Sequence, residues 1–241
     1  MFRRKPPKPD VDDGDQPSAH RAGIGKRVAA KLKRNPMVER VESDLLDLFI
    51  RRDFLSGEEC AAMRAIIDEG AQPSKLFSGT EGPEYRTSHS CHMEPDDPLV
   101  AAVSDRIVAL MGLDAATGET IQGQRYTVGQ EYKPHWDYFP VNDTYWPHMK
   151  AQGGQRCWTA MAYLSNVAAG GETHFPYAGL VVPPREGTII IWNNLTRDGG
   201  PNHDSLHAAL PVRDGTKYVL TKWFREREWI AGAKARRINA G

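Results

Sequence analysis

A histidine and an aspartate stand two residues apart in the stretch EYKPHWDYF, as His135 and Asp137. Side chains two apart on a β-strand point to the same face, so both could reach one ion while Trp136 turns away into packing. Taken alone, such a pair is more often a hydrogen-bonded histidine of the core than a metal ligand. A metal site therefore requires at least one more ligand from elsewhere in the chain.

The best-placed third ligand is His207, which opens an alternating apolar strand, and the runner-up is His203 in the loop before it. Two histidines and one carboxylate form the facial triad of non-haem iron(II), which leaves positions open for a cosubstrate and oxygen. Zinc is the competing assignment. Zinc hydrolases usually bring a glutamate general base in a form such as H-E-x-x-H, and the sequence contains no such motif.

Lys217 follows His207 by ten residues and shares a strand face with Thr221 in the stretch GTKYVLTKWF. An iron enzyme that uses 2-oxoglutarate needs a fixed cation for the distal carboxylate. A buried lysine ammonium would hold that group by charge-assisted hydrogen bonds. The alternative is that Lys217 ends a hairpin turn and points to water. The presence of the other site residues favours the anchoring role.

The composition is that of an ordinary globular protein, with 241 residues, 40% hydrophobic and 26% charged. Three widely separated cysteines without a CxxC motif argue against a disulfide framework or a thiolate zinc site. The basic start, MFRRKPPKPD, lacks the apolar stretch of a signal peptide, and no window is apolar enough for a membrane span. These features predict a cytoplasmic protein.

The net charge of zero conceals an asymmetry. Residues 1–40 carry 11 basic and 5 acidic side chains, a net of +6, so the remainder carries −6. Residues 1–22 are expected to be disordered, and residues 23–35 to form a short basic helix with Ile24, Val28 and Leu32 spaced by four. We interpret residues 1–40 as a disordered or partly helical basic arm, either solvated or in contact with an acidic partner, membrane surface or nucleic acid.

Hydrophobic periodicity predicts two helices and then many short strands. The first helix covers residues 57–69, after a capping box that begins at Ser56, and the second runs from Pro98 to Gly112. The polar residues 76–95 between them are expected to form a lid. From residue 119 the period is two, which predicts an antiparallel sandwich or jelly roll. The domain is placed at 41–230, with a metal-binding core at about 119–225 and a tail at 231–241.

Several motifs, in order, resemble the prolyl 4-hydroxylase family of Fe(II)/2-oxoglutarate dioxygenases. They are FLSGEEC, YRTSHS, QGQRYTVGQEYKPHWDYF, RCWTAMAYLSNVAAGGETHFP and HAALPVRDGTKYVLTKWF, and they span residues 54–224. The resemblance implies a double-stranded β-helix preceded by two helices, an α+β protein that is mainly β. It implies His135, Asp137 and His207 as iron ligands and Lys217 as the anchor of the 2-oxoglutarate C5 carboxylate.

The resemblance also implies roles for six more residues. Those near the cosubstrate are Tyr126, Tyr132, Thr173 and Thr221, and those facing a peptide are Arg156 and Trp223. Two departures from the family pattern stand out. The connection at residues 140–155 is long and aromatic, and Phe224-Arg225 follows Trp223 where the family often has a histidine.

The implied reaction is hydroxylation of a C–H bond, that of a prolyl residue in a peptide or protein, with succinate and CO2 as coproducts. The implied cofactors are Fe(II), 2-oxoglutarate and O2, with ascorbate added by analogy. The alternative is a hydroxylase of a free amino acid or another small molecule. A lysine anchor and an acidic domain argue against a nucleic-acid demethylase. A complete triad argues against a non-catalytic binding module.

Overall fold

The structure is a computed structural model, and it describes residues 14–74, 82, 84–142 and 144–230. The helices are α1 (Ala19–Lys33), α2 (Gly57–Gly70), α3 (Pro98–Met111) and α4 (Trp146–Ala151). The strands are β1 (Glu39–Val41), β2 (Leu48–Arg51), β3 (Gln72–Pro73), β4 (His89–His92), β5 (Gln122–Tyr126), β6 (Tyr132–His135), β7 (Arg156–Tyr163), β8 (Ala169–Gly170), β9 (Thr173–Phe175), β10 (Leu180–Val182), β11 (Ile189–Asn193), β12 (His207–Ala209), β13 (Val212–Asp214) and β14 (Lys217–Arg225).

The strands form antiparallel sheets. The major sheet has the order β1-β2-β11-β7-β14-β5-β4-β3, the minor sheet has the order β10-β9-β12-β6, and β13 pairs with β8. The predicted mainly β fold with flanking helices is confirmed. The two predicted helices are α2 and α3, while α1 precedes them and α4 lies within the long connection at residues 140–155. None of the helices in the described ranges has the length and apolar character needed to cross a bilayer.

The ends of α2 and α3 follow from their capping residues. The Ser56 side chain accepts from the Glu59 amide and the Glu59 carboxylate accepts from the Ser56 amide, which is the predicted capping box. Asp97 caps α3 and Pro98 occupies its first turn, where the missing N–H costs nothing. Gly112 ends α3 in the left-handed region with φ 67°. Both predicted helices are confirmed.

Strand alternation divides the apolar residues between two cores. On β7, Ala160 and Ala162 pack toward the helices, whereas Met161 and Tyr163 pack toward the minor sheet. The helix side is buried by α1, α2 and α3, so the large sheet is supported on its outer face. The inner face of the major sheet packs against the minor sheet in the second core.

The interpretation of the arm as solvated is wrong for residues 19–33. Helix α1 buries Ile24, Val28 and Leu32 in the core beneath the major sheet. It begins before the predicted start because Ser18 caps it, so residues 19–22, expected to be disordered, form its first turn. Arg21 is buried and forms an ion pair with Glu226, Nη1 to Oε2 3.0 Å. Residues 1–13 of the predicted arm lie outside the described part.

Two boundaries also differ from the predictions. Strand β6 ends at His135, so Asp137 lies in the bend that follows and not on a strand with His135. Strand β4 lies within the segment that was expected to be a lid. Its backbone groups pair with those of β5, so this part of the segment is held in the major sheet and is not a free loop. Residues 76–81 and 83 of the predicted lid lie outside the described residues.

Candidate metal centre and cosubstrate pocket

The structure brings His135, Asp137 and His207 together. One candidate ligand atom from each lies within 4.8 Å of the others. Antiparallel pairing of β12 with β6 sets His207 opposite His135, and the bend after β6 carries Asp137 to the same point. The Asp137 Oδ2 to His207 Nε2 distance is 3.7 Å. Three convergent ligands of this kind can hold one divalent cation.

Backbone carbonyls orient the two imidazoles. Nδ1 of His135 lies 2.8 Å from the Lys133 carbonyl oxygen, and Nδ1 of His207 lies 3.0 Å from that of Ser205. A histidine that donates from Nδ1 keeps its Nε2 lone pair for a metal. The Asp137 carboxylate accepts from the Thr159 hydroxyl at 2.7 Å. All three ligands are therefore held in fixed positions by the surrounding chain.

The protonation states also suit a cation. Burial lowers the pKa of His135 well below its ordinary value, and the neighbouring His207 lowers it further. Burial on its own would raise the pKa of Asp137, but the two histidines and Arg156 outweigh it, so that pKa lies below its ordinary value. A neutral imidazole and an ionised carboxylate are the forms that bind a metal. The donor set fits Fe(II) at neutral pH.

Lys217 lies in the same cavity as the three candidate ligands. It is 1% exposed, and its Nζ lies 5.4 Å from the ring centroid of Tyr126 and 5.7 Å from that of Tyr163. Within the described ranges no hydrogen bond or ion pair engages its ammonium group. Burial lowers the pKa of Lys217 to about 7, and the Glu172 carboxylate offsets part of that decrease. A buried ammonium of this kind fits a carboxylate ligand, and the alternative of a solvated lysine is wrong.

The four residues expected near the cosubstrate all line the cavity. Tyr132 stacks on His135, with centroids 3.5 Å apart and planes 14° apart. The Tyr126 hydroxyl donates to Gln124 Oε1 at 3.1 Å. Thr173 accepts from the Tyr163 hydroxyl at 2.7 Å, and Thr221 lies on the same face of β14 as Lys217. Their proximity is observed, and their roles toward a cosubstrate stay predictions.

Arg156 and Trp223, expected to face a substrate, form one wall of the cavity. The Arg156 guanidinium carbon lies 4.0 Å from the centroid of the Trp223 ring. Both side chains are buried, and the Trp223 Nε1 atom has no acceptor among the residues that the structure describes. Trp136, expected only to pack, also lines the cavity and donates from Nε1 to the His203 carbonyl at 3.0 Å. His203 is exposed and stands apart from the metal-ligand group.

Sequence reasoning missed other residues of the site, among them Glu119, Arg86 and Trp192. Glu119 accepts two hydrogen bonds from Arg156, Arg86 stacks over the Tyr132 ring at 4.8 Å, and Trp192 packs 4.9 Å from the His207 ring. Arg86 lies within the quoted YRTSHS motif, which could have drawn attention to it. Nothing in the sequence around Glu119 or Trp192 distinguishes them from other residues at strand ends and on buried strands.

The cavity has a volume of about 770 Å³ and extends well beyond the metal ligands. Aromatic and proline side chains make up much of its remaining lining. These are Pro73, Tyr85, Pro134, Trp136, Tyr138, Phe139, Pro140, Tyr145 and Trp229. Such a lining offers rigid apolar surface to an extended chain.

Two antiparallel sheets thus carry a His-Asp-His group and a buried lysine in one cavity. Residues 121–225 match the family described as the 2OG-Fe(II) oxygenase superfamily. The chain is similar to this superfamily, whose members use Fe(II), 2-oxoglutarate and O2. The family that the sequence motifs resemble is thereby confirmed.

The chain is 35% identical over 203 residues to prolyl 4-hydroxylase subunit alpha-2 of Gallus gallus, which covers 80% of this chain and 36% of that protein. The chain thus spans about a third of the length of the curated relatives it matches. Its fold is similar to that of a viral collagen prolyl hydroxylase from Paramecium Bursaria Chlorella virus-1 in complex with 2OG. The TM-score is 0.58 at 22% identity, over 80% of this chain and 97% of the other.

A second similar structure is a prolyl hydroxylase from Trichoplax adhaerens in complex with a peptide fragment of the hypoxia inducible factor oxygen degradation domain. Its TM-score is 0.57 at 14% identity, and the match covers 92% of this chain and 94% of that chain. The predicted jelly-roll fold is confirmed by these likenesses.

Proposed function

We propose that this chain is an Fe(II)- and 2-oxoglutarate-dependent dioxygenase that hydroxylates a prolyl residue in a peptide or protein, with succinate and CO2 as coproducts. The observation that carries the proposal is the convergence of His135, Asp137 and His207 with the buried ammonium of Lys217 in one cavity. A metal cation would find there the Asp137 carboxylate and two imidazoles, and a dicarboxylate would find the oppositely charged ammonium of Lys217. The match of residues 121–225 to the 2OG-Fe(II) oxygenase superfamily supports the same activity.

The chain's own residues would divide the work as follows. His135, Asp137 and His207 would hold Fe(II), which with 2-oxoglutarate and O2 supplies the oxidising power for an unactivated C–H bond. Lys217 would hold the C5 carboxylate of 2-oxoglutarate and thereby fix its orientation. The enclosing rings of Tyr126 and Tyr132 would exclude water from the buried end of the cavity.

A peptide substrate is supported by the lining of the cavity. Aromatic and proline side chains there suit an extended, proline-containing chain, whose backbone is already close to the bound conformation. The curated relatives are named as prolyl 4-hydroxylase subunits, and the Trichoplax adhaerens protein is seen with a peptide. Arg156 and Trp223 line the same cavity as the metal ligands.

The test is a turnover screen after anaerobic loading with Fe(II). Succinate formation would be measured for proline-containing peptides, for free proline and for other free amino acids, with ascorbate present and absent. The proposal expects the peptides to gain one oxygen atom on proline. Conversion of free amino acids alone would replace it with the small-molecule alternative.

An acidic partner for the basic arm stays a prediction. Helix α1 exposes the cationic residues Lys26, Arg27, Lys31, Lys33 and Arg34. Its apolar face is buried in the core, so the helix has no apolar surface to insert into a membrane. Cytoplasmic localisation also stays a prediction.

A further inference from the structure

Gly14, the first residue that the structure describes, is joined to the lining of the cavity by one side chain. Gln155 Nε2 donates to the Gly14 carbonyl at 3.2 Å and to the Phe139 carbonyl at 2.6 Å. Phe139 lines the cavity. It follows the candidate ligand Asp137 by two residues, which span at most about 7 Å. The chain therefore enters the described part close to the candidate metal centre.

Close packing fixes the position of Gly14. The residue is buried and has φ 79°, in the left-handed region that favours glycine. A Cβ atom added there would lie 2.2 Å from Cζ2 of Trp146 and 3.0 Å from Cγ1 of Val141. A larger residue would therefore have to shift its neighbours. The chain before Gly14 starts from a defined point against the connection at residues 140–155.

The residues before Gly14 are rich in proline. We call residues 1–13, MFRRKPPKPDVDD, the N-terminal tail. Its prolines are Pro6, Pro7 and Pro9. Pro9 precedes Gly14 by five residues, a stretch that spans up to about 17 Å when extended. That length exceeds the separation of Phe139 from Asp137, so Pro9 is within reach of the metal ligands, and the other two prolines have more chain available.

The part of the cavity lining that Gly14 approaches suits a proline-rich segment. The residues that follow Asp137 supply aromatic and proline side chains to the cavity. These are Tyr138, Phe139, Pro140 and Tyr145. Proline-rich segments adopt the polyproline II conformation before they bind, and aromatic-lined grooves recognise them in that form. The KPPKP sequence of the N-terminal tail is a segment of this kind.

We propose that the N-terminal tail is a substrate of its own chain, and that a proline among residues 6–9 is hydroxylated in the cavity. The inference rests on the proposed function and names one substrate for it. A C–H bond of the proline ring would be broken and a C–OH bond formed with one atom of O2. The other atom would enter succinate as 2-oxoglutarate loses CO2. A short tether gives an effective concentration of about 1 mM, so hydroxylation in cis does not require tight binding.

Two other prolines serve as controls within the same chain. Pro17 and Pro36 are exposed, and neither is among the described residues that line the cavity. Pro17 is also fixed in place, because the amide of the next residue, Ser18, donates to the Asp198 carbonyl at 2.9 Å and its side chain caps α1. An enzyme that hydroxylates any exposed proline would modify both, whereas delivery of the tail from Gly14 would spare them.

The first experiment maps hydroxylation on the protein itself. Protein loaded anaerobically with Fe(II) is exposed to 2-oxoglutarate and O2, digested, and analysed by mass spectrometry for oxygen added to proline. His207→Ala, produced and treated in the same way, shows any oxygen that other enzymes add during production. We expect oxygen on the N-terminal tail of wild type, none on Pro17 or Pro36, and none in His207→Ala. An unmodified tail, or equal modification of Pro17 and Pro36, would overturn the inference.

The second experiment separates hydroxylation in cis from hydroxylation by another copy. Wild type is mixed with isotopically labelled His207→Ala, whose tail is intact, and the rate is followed at several protein concentrations. We expect the labelled chain to stay unmodified and the rate constant for the wild-type tail to be independent of concentration. Modification of the labelled tail at the same rate would make the occupant of the cavity a second copy and would contradict the proposal.

The anchor is tested by Gly14→Ala, which moves the point from which the tail leaves without changing its prolines or the cavity lining. The matched control is Gly179→Ala, with φ 67° and no atom of the described chain within 4 Å of the added Cβ. We expect tail hydroxylation to be about tenfold slower in Gly14→Ala only, because a tether that no longer fits lowers the effective concentration. Equal tail rates in the two variants would count against the inference.

An unrelated proline-containing peptide separates this inference from the proposed function. If that peptide is hydroxylated and the tail is not, the inference fails and the function stands. If neither gains oxygen, the proposed function fails, and binding decides whether the tail occupies the cavity.

Binding is measured by calorimetry on the iron-loaded protein with a synthetic peptide of residues 1–13. Wild type is compared with the variant in which all three tail prolines are alanine. A tethered tail at about 1 mM weakens a free peptide with a Kd of about 0.1 mM by about tenfold, so the peptide should bind the variant about tenfold more tightly. Equal affinities would exclude the tail from the cavity and overturn the inference.

Discussion

His207 lies directly across from His135 in the antiparallel pairing of β12 with β6, and their ring centroids are 4.3 Å apart. These residues lie 72 positions apart in the sequence, so the pairing of the minor sheet is what assembles the candidate centre. Because each Nδ1 lies against a backbone carbonyl, the two rings have little freedom to turn. The centre is therefore built into the fold before a metal arrives.

Replacement of His207 by alanine should abolish Fe(II) binding at the centre, since it leaves two ligands of the three. Iron content after anaerobic loading would be measured by mass spectrometry of the metal, and folding by circular dichroism. His203→Ala is the matched control, because His203 was the rival ligand and lies outside the group. Loss of iron in the control and not in His207→Ala would reverse the assignment.

Replacement of Thr159 by valine should weaken iron binding by about 10- to 100-fold while leaving the ligands in place. The Thr159 hydroxyl donates to Asp137 and accepts from Asn194 Nδ2 at 2.9 Å, and valine keeps the shape without either bond. An anaerobic iron titration measures the change. An affinity equal to that of wild type would show that Asp137 does not depend on this contact.

The affinity for 2-oxoglutarate should fall as the pH rises above about 7. Burial holds the pKa of Lys217 near 7 in the free protein, and the anion binds the protonated ammonium. Above that pH each binding event must take up a proton, which costs about tenfold in affinity per pH unit. Calorimetry on the iron-loaded protein between pH 7 and 9 measures the slope.

Arginine keeps its charge throughout this range, so Lys217→Arg should bind 2-oxoglutarate with a much smaller slope, and Lys217→Ala should bind it poorly at every pH. An identical slope in wild type and Lys217→Arg would assign the titration to another group and remove Lys217 as the anchor.

Glu119→Gln should lower the free energy of unfolding by about 3–5 kcal/mol, because it leaves two buried guanidiniums without their counter-charge. The comparison is Glu59→Gln, which breaks the more exposed pair with Arg106, N to O 2.7 Å, and should cost about 1 kcal/mol or less. Urea denaturation measures both. Equal losses in the two variants would mean that the buried cluster contributes no more than a surface pair.

Leu32→Ala should destabilise the protein by about 2–5 kcal/mol, since Leu32 is completely buried by α1 against the core. Leu45→Ala, at a half-exposed position, should change the free energy of unfolding much less. Thermal and urea unfolding of both variants test whether α1 belongs to the folded domain. No loss in Leu32→Ala would restore the view of this segment as a solvated arm.

Much of the site could be predicted from the sequence because its residues lie on strands with clear alternation. Lys217 and Thr221 share a face of β14 and do line the cavity together. His135 and Asp137 were expected on one strand, yet the strand ends at His135 and a bend carries Asp137 to the ligands. The two side chains still converge, because a bend can bring two such residues together as well as a strand can.

The parts that were missed depend on contacts between distant segments. Three apolar residues spaced by four on α1 look too few to hold a helix against the domain. They are sufficient because they pack into one core with side chains of the major sheet. Glu119 precedes a strand and has no motif, so its role appears only when Arg156 and Arg225 converge on it. The local sequence pattern predicts which face of a helix or strand is apolar. It does not predict which other element packs against that face.

The most direct test of the central claim is the coupled stoichiometry of the reaction. Iron-loaded protein would be supplied with 2-oxoglutarate, O2 and a proline-containing peptide, and succinate and oxygenated peptide would be quantified together. We expect both products in equal amounts, with the added oxygen on proline and neither formed without iron. Iron bound at the centre with no succinate formed from any prolyl or free amino acid substrate would contradict the account.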